Sequence, residues 1–238
     1  MARSGAVSLA GPAALMPLMQ SLAARYELLY PGVTVDTSAP PLAPALARLR
    51  ARSLDFALLP RRLADHERDL LAFPVARDGL GVLVRRAHPL QTLSVAGLAA
   101  RLSQGRAGGL AVHDPQGRVD AMLGALFRID GRSLPRVADA ASWVRDEGSG
   151  EGAQVEVLLL TLDAALGFAS RADVRLVAID GRHANPRNLR KGDYPLLEPV
   201  NLVSRDQPAG EGRHFVDFCL SAQIFDLVRQ HGLIPYAD

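Results

Sequence analysis

The sequence predicts an α/β sheet with crossover helices. Short apolar segments bounded by Gly or Pro alternate with amphipathic segments of helical period through the first sixty residues. Of the 238 residues 48% are hydrophobic and 22% charged, the balance of a globular chain rather than a disordered one. At this length about 70–75% of the unfolded surface is buried on folding, so the core needs neither disulfides nor metals. The single cysteine, Cys219, excludes a disulfide scaffold and a multi-cysteine zinc site.

Ala6-Val7-Ser8-Leu9-Ala10 alternates like a strand and stops at Gly11-Pro12. Leu15, Leu18, Met19, Leu22, Tyr26 and Leu29 then recur at helical spacing. Pro12 and Pro17 fit only near the start of that helix, and Pro31-Gly32 ends it. Val33-Thr34-Val35 is a second strand, and Pro40, Pro41 and Pro44 lead into a helix carrying Leu46 and Leu49. Residues 55–59 form a third strand, closed by Pro60. Residues 79–84 read as a buried strand, 93–102 as a short helix, 105–109 as a flexible turn and 110–112 as a strand. That strand runs into His113-Asp114-Pro115-Gln116-Gly117, before a helix with Val119, Met122, Leu123, Leu126 and Phe127. Residues 155–160 are expected to be helical, 166–169 and 174–179 strands, and 200–204 a further strand. Two helices, over 212–220 and 222–231, complete the chain. No repeat of solenoid period is present.

Charge excludes several functions. The net charge is +2, and 26 of the 27 basic residues are Arg, Lys191 being the exception, a skew read as a mark of GC-rich coding rather than of a function. The arginines are scattered without an interleaved aromatic stripe, so no nucleic-acid partner is expected. Arg48, Arg50 and Arg52 read as a solvated helix face. No apolar run reaches the ~18–20 residues of a membrane span. Met1-Ala2-Arg3-Ser4 carries no signal-peptide hydrophobic region, which leaves two compartments open: the cytoplasm, or an extracytoplasmic site reached with a leader before residue 1. The six histidines form neither a His-Glu-x-x-His pattern nor a close pair, so no metal site is expected. Nucleophile-elbow, P-loop and Gly-x-Gly-x-x-Gly signatures are lacking, so neither an enzyme nor a cofactor is expected. Cys219, beside Phe215 and Phe218 on an amphipathic helix, reads as a core thiol rather than a nucleophile, and Trp143 as a packing residue rather than a stacking platform.

The last third of the chain carries a resemblance. Ala178-Ile179-Asp180-Gly181, Asn185-Pro186-Arg187-Asn188-Leu189, Gly192-Asp193-Tyr194-Pro195-Leu196, Phe215-Val216-Asp217-Phe218, Leu220-Ser221 and Gly232-Leu233-Ile234-Pro235 follow one another in that order. Upstream, Gly11, Pro17-Leu18, Pro31-Gly32-Val33 and Asp55 with Arg61 stand at matching spacings. Together they resemble the phosphate-binding proteins of bacterial ABC importers, and Ala164-Ala165-Leu166-Gly167-Phe168 resembles that family's strand before its carboxy-terminal section. The resemblance implies a two-lobed periplasmic-binding-protein-like fold of type II, each lobe a mixed sheet flanked by helices, with ligand held between the lobes. Lobe one would comprise residues 1–83 plus 199–238 and lobe two residues 84–198, with hinge strands within 82–85 and 199–204. It further implies a periplasmic or extracytoplasmic location, a small-molecule or oxyanion ligand, and an ABC permease or a signalling protein as partner.

In the resembled family, Ser or Thr, Gly and one acid or hydroxyl on four loops hold the anion. Here the four loops map to Gly11-Pro12-Ala13-Ala14, Pro41-Leu42-Ala43, Leu58-Leu59-Pro60 and Gln116-Gly117-Arg118, and nearly every hydroxyl is missing. The candidate ligand-binding residues are therefore Ala13, Ala14, Leu42, Arg61, His113, Gln116, Gly117 and Arg118. For Arg61 and Arg118 the alternative is a surface arginine or an interlobe salt bridge, and for Gln116 a solvated loop amide. Asp114 is read as a helix cap and Asp55 as fixing its local turn, in preference to ligand contacts. Glu147-Gly148-Ser149-Gly150 imitates the fourth loop, but Ser149 precedes Gly167 by only 18 residues against 51 for Gln116; residues 148–152 read as a surface loop. One lost hydroxyl costs about 1–3 kcal/mol and a set of them several times more, so tight phosphate binding is expected to be weakened or replaced. Two other readings share the architecture: a degenerate sensory or protein-interaction module with a non-phosphate ligand, and the effector domain of a LysR-type regulator. The second would need a helix-turn-helix, and none precedes the first strand in this sequence.

Overall fold

The computed structural model describes residues 4–145, 155–170 and 173–236. In chain order the elements are β1 (Gly5–Ala10), α1 (Met16–Leu29), β2 (Val33–Ser38), α2 (Leu42–Arg50), β3 (Phe56–Leu59), β4 (Leu71–Arg85), β5 (Thr92–Leu93) and α3 (Val95–Ser103). Next come β6 (Leu110–Val112), α4 (Arg118–Phe127), α5 (Ala140–Arg145), β7 (Val157–Thr161), α6 (Leu162–Ala169), β8 (Val174–Leu176) and β9 (Ala178–Ile179). The last are α7 (Pro186–Lys191), β10 (Leu197–Ser204), α8 (Gly210–Cys219), α9 (Phe225–Gln230) and β11 (Ile234–Pro235). The chain divides into a first unit, Met1–Arg77 with Pro199–Asp238, and a second, Asp78–Glu198, so β4 and β10 run from one unit into the other.

In the first unit the sheet order is β2-β1-β3-β10. β1 pairs parallel with β2 (Gly5 opposite Val33, Ala10 opposite Ser38) and with β3 (Leu9 opposite Phe56), while β10 runs antiparallel to β3 (Leu202 opposite Leu58). The two-residue period of the strands sorts their side chains onto two faces. Val7, Leu9, Val33, Val35, Phe56 and Leu58 join the core under α1, α8 and α9. Ala10, Ala57, Leu59 and Val203 join a second core, covered by Ala45, Leu46 and Leu49 of α2. All four residues of β3 are buried because the strand has helices on both sides. This winding points the carboxyl ends of β1, β2 and β3 at the segments after Ala10, Ser38 and Leu59.

In the second unit β7 lies between β4, to which it is antiparallel (Val82 opposite Leu159), and β6, to which it is parallel (Val112 opposite Leu159). β8 flanks the other edge of β4 (Leu83 opposite Leu176), and β5 and β9 form a separate small parallel pair.

Two elements correct the sequence reading by exchanging type. Residues 155–160 are not helical: Val157–Thr161 is strand β7, its first four residues buried between β4 and β6. A continuous apolar run lacks the polar positions that separate a strand from a buried helix. Residues 166–169 are not a strand but the second half of α6, which buries Leu162 and Ala165 one turn apart; the likeness of 164–168 to a family strand is corrected with it. Residues 174–179 split at Val177 into β8 and β9, in different sheets.

The close approach of α6 to β4 needs glycine at position 81, where a β-carbon would run into the β-carbon of Ala165. Gly81→Ala is therefore expected to cost about 1–3 kcal/mol by overpacking. Gly124→Ala, on an open face of α4, is expected to be neutral or to stabilise by up to about 1 kcal/mol. Urea melts of the two variants check the contrast, and equal stabilities would contradict the packing.

Candidate functional site

Each candidate loop begins where a strand of its unit ends and a helix or turn begins, the position where α/β sheets take ligands. In the first unit Gly11 leaves β1 with its N–H donating to the Ser38 carbonyl at 3.0 Å. A β-carbon there would meet Met19 Sδ at 2.8 Å and Leu58 at 3.2 Å, so glycine lets the chain pass close to both. Pro12 then opens a tight turn over Ala13–Leu15, with α1 following. Ala13 is exposed and Ala14 half-buried, and neither side chain donates a hydrogen bond. Backbone N–H groups in the first turn are the donors such a loop retains, and Pro12 and Pro17 each lack one. The second loop repeats the pattern: Pro41 caps α2, Pro44 removes another N–H, and Leu42 is 45% exposed where a donor would be needed.

The third loop is closed by its own ions. Arg61 donates from Nη1 and Nη2 to Glu67 Oε2 and Oε1, both at 2.8 Å, and from Nη1 to the Arg62 carbonyl at 2.8 Å. Glu67 also accepts from the Ala64 N–H at 2.8 Å, and Asn201 Nδ2 donates to the Arg61 carbonyl at 2.8 Å. The Glu67 side chain is only 2% exposed. The Arg61 guanidinium, helped by the Ala64 N–H, outweighs the burial and holds its carboxyl down to about 2.

In the second unit β6 ends at Val112, and the His113 N–H donates to the Leu159 carbonyl at 2.8 Å. His113 Nδ1 lies 3.0 Å from the Val137 carbonyl. Asp114 Oδ2 accepts from the Asp120 N–H at 2.9 Å and so caps α4. Gln116 is exposed, and Gly117 takes a positive φ of 75° to start the helix. Arg118, the first residue of α4, turns inward: Nε donates to Asp78 Oδ2 at 3.0 Å and Nη2 to Asp78 Oδ1 at 2.6 Å. The pair is buried, with side chains 6% and 2% exposed. A cation on the first turn of a helix opposes the helix dipole, and the carboxylate of Asp78 offsets it.

The first unit thus brings Ala13, Ala14, Leu42 and Arg61 to the ends of three neighbouring strands, and the second gathers His113, Gln116, Gly117 and Arg118 at the end of β6. Both arginines are held by carboxylates of their own unit. Sequence reading missed three residues that shape these loops: Glu67, Asp78 and Asn201. Asp78 had a signal, as an acid set directly before the apolar run of residues 79–84. Asp55 ties β1 to β3, its Oδ2 accepting from Ser8 N and Oγ at 2.8 Å each. Trp143 is buried and donates its indole N–H to the Val155 carbonyl at 3.2 Å. Cys219 is buried, which pushes its thiol far up. Residues 147–152, the imitation of the fourth loop, lie outside the described residues. Among the described residues no cluster of metal-ligating side chains occurs, and no helix is long and apolar enough to cross a membrane.

Comparison with known proteins places this geometry. Residues 2–114 match a family profile described as the PBP superfamily domain. Over 87 residues the chain is 29% identical to phosphate-binding protein PstS 2 of Streptococcus agalactiae serotype V, a match covering 33% of this chain and 30% of the relative's length. The fold superposes on PstS from Borrelia burgdorferi with a TM-score of 0.79 at 13% identity, covering 98% of this chain and 99% of that one. An ABC-type phosphate transport receptor from Vibrio cholerae gives 0.75 at 16% identity, covering 96% and 99%. The chain has a periplasmic-binding-protein-like fold and resembles the phosphate-binding proteins of ABC importers.

Proposed function

We propose that the chain is a non-enzymatic, extracytoplasmic solute-binding module. It takes a small ligand at strand-end loops, and the ligand-bound form is recognised by a membrane permease or a signalling protein. On this reading free phosphate is not held tightly. The carrying observation is the donor set: Ala13, Ala14 and Leu42 stand where hydroxyls would be needed, and both candidate guanidinium groups are engaged by carboxylates. A desolvated phosphate needs many charge-assisted donors. What remains is backbone N–H groups at helix starts and the exposed Gln116 amide, beside exposed apolar side chains.

A thermal-shift panel on ligand-stripped protein tests the reading, with phosphate, sulfate, small carboxylates, polyols and amides as arms. The expected result is a saturable rise with one of the organic arms, and with phosphate or sulfate at about 1 mM a rise below ~2 °C. Strong stabilisation by phosphate alone would overturn the ligand part of the proposal. Turnover of a phosphate ester would overturn the non-enzymatic part.

A further inference from the structure

We infer that Asp78 is the specificity determinant of the fourth loop: its carboxylate occupies, from within the chain, the place an oxyanion would take on the Arg118 guanidinium. The inference rests on the reading of residues 113–118 as a ligand loop.

A guanidinium recognises carboxylate and phosphate through the same planar fork of two N–H donors. In Arg118 that fork is Nε and Nη2, and each already meets one oxygen of Asp78, at 3.0 and 2.6 Å. Asp78 is itself anchored, because its Oδ1 also accepts from the Gly79 N–H at 2.8 Å. Gly79 is itself closely packed, since a β-carbon there would meet Leu162 at 2.5 Å and Leu197 at 3.0 Å. An incoming oxyanion would have to displace a carboxylate tethered to the same chain, and a tethered group competes at an effective concentration far above that of a free solute. It would also do so against the charge of the group it displaced. The loop therefore selects an uncharged ligand that uses backbone donors and Gln116, and Asp78 makes that selection by neutralising Arg118. A pair that served stability alone would lack one property: with Asp78 neutralised, small oxyanions should replace it.

The test is Asp78→Ala, which removes the charge and vacates the place of the carboxylate. Phosphate or sulfate at about 10 mM is expected to raise the melting temperature of D78A by ~5–10 °C, as for a Kd near 0.1 mM, and to leave the wild type unmoved. Chloride at matched ionic strength should not do so, and the double variant D78A/R118Q should lose the response. If D78A does not fold alone, its refolding is followed by circular dichroism in phosphate, formate and chloride. Recovery in the two oxyanions and not in chloride then supports the inference. D78A that behaves alike in oxyanion and chloride overturns it, as does a response that survives in D78A/R118Q. A phosphate response of the same size in the wild type would instead overturn the proposed ligand class on which the inference rests.

Discussion

Replacing Glu67 by glutamine is expected to lower stability at neutral pH by about 3–5 kcal/mol, the usual cost of removing one partner of a buried ion pair. In a chain of this size that corresponds to a fall of roughly 6–20 °C in melting temperature. Three contacts depend on the carboxylate: both Arg61 nitrogens and the Ala64 N–H. Without the charge the Arg61 guanidinium is left facing a neutral amide with its solvation largely lost. The pH dependence gives the variant a second signature. The carboxyl is held at about 2 in the folded chain, against an ordinary value of 4.5. A depressed carboxylate stabilises the fold fully above its unfolded value and loses that contribution as pH falls through the folded one. About 3 kcal/mol should therefore disappear from the wild type between about pH 4.5 and pH 2, and not from E67Q. Denaturant melts of both proteins across that range make the comparison. Equal stability at pH 7, or parallel acid profiles, would contradict the role given to the pair.

Tyr26→Ala should cost a similar amount, about 3–5 kcal/mol, for a different reason. Tyr26 is fully buried on α1 and is the hub of an aromatic cluster that fastens α1 to α8. Its ring lies 5.1 Å from Phe215 in an edge-on arrangement, 5.0 Å from Phe218 and 4.8 Å from Tyr30. Phe215 continues the cluster to Phe56 of β3 at 5.7 Å. The phenol also donates a hydrogen bond to Glu211. Truncation leaves a cavity between two helices and the sheet, while Tyr26→Phe keeps the ring and loses only the hydroxyl and its bond to Glu211, at a cost of about 1.5–3 kcal/mol. A small gap between the two variants would show that the hydroxyl rather than the ring carries the contact.

Much of the fold was legible because its signals are local. β1, α1, β2, α2 and β3 stand where alternation, helical spacing and Pro or Gly stops put them. Where no polar residue interrupts the pattern, legibility fails. From Val157 to Leu160 and again from Ala164 to Ala169 the residues are apolar or glycine, so period alone does not tell β7 from α6; the local cue is Thr161 at the N-cap with Asp163 in the first turn, and pairing with β4 and β6 fixes β7. The loops of the candidate site were readable from strand ends and from missing hydroxyls. The state of their charges was not. Asp78 and Arg118 lie 40 residues apart and meet only after β4 and α4 are assembled into one unit. Arg61 and Glu67 are six apart, a separation with no regular geometry, and they pair only because the loop turns back through Ala64. An arginine on a ligand loop therefore reads as an anion contact until its carboxylate is found.

The most direct test of the central claim, that this fold does not hold phosphate tightly, is calorimetric titration of the ligand-stripped chain with inorganic phosphate. With Arg61 and Arg118 held by Glu67 and Asp78, and with Ala13, Ala14 and Leu42 in place of hydroxyls, no one-to-one binding tighter than about 100 μM is expected. A saturating one-to-one isotherm with a Kd of about 1 μM or below would contradict it, and would mean that backbone N–H groups and one displaced ion pair suffice to hold the anion.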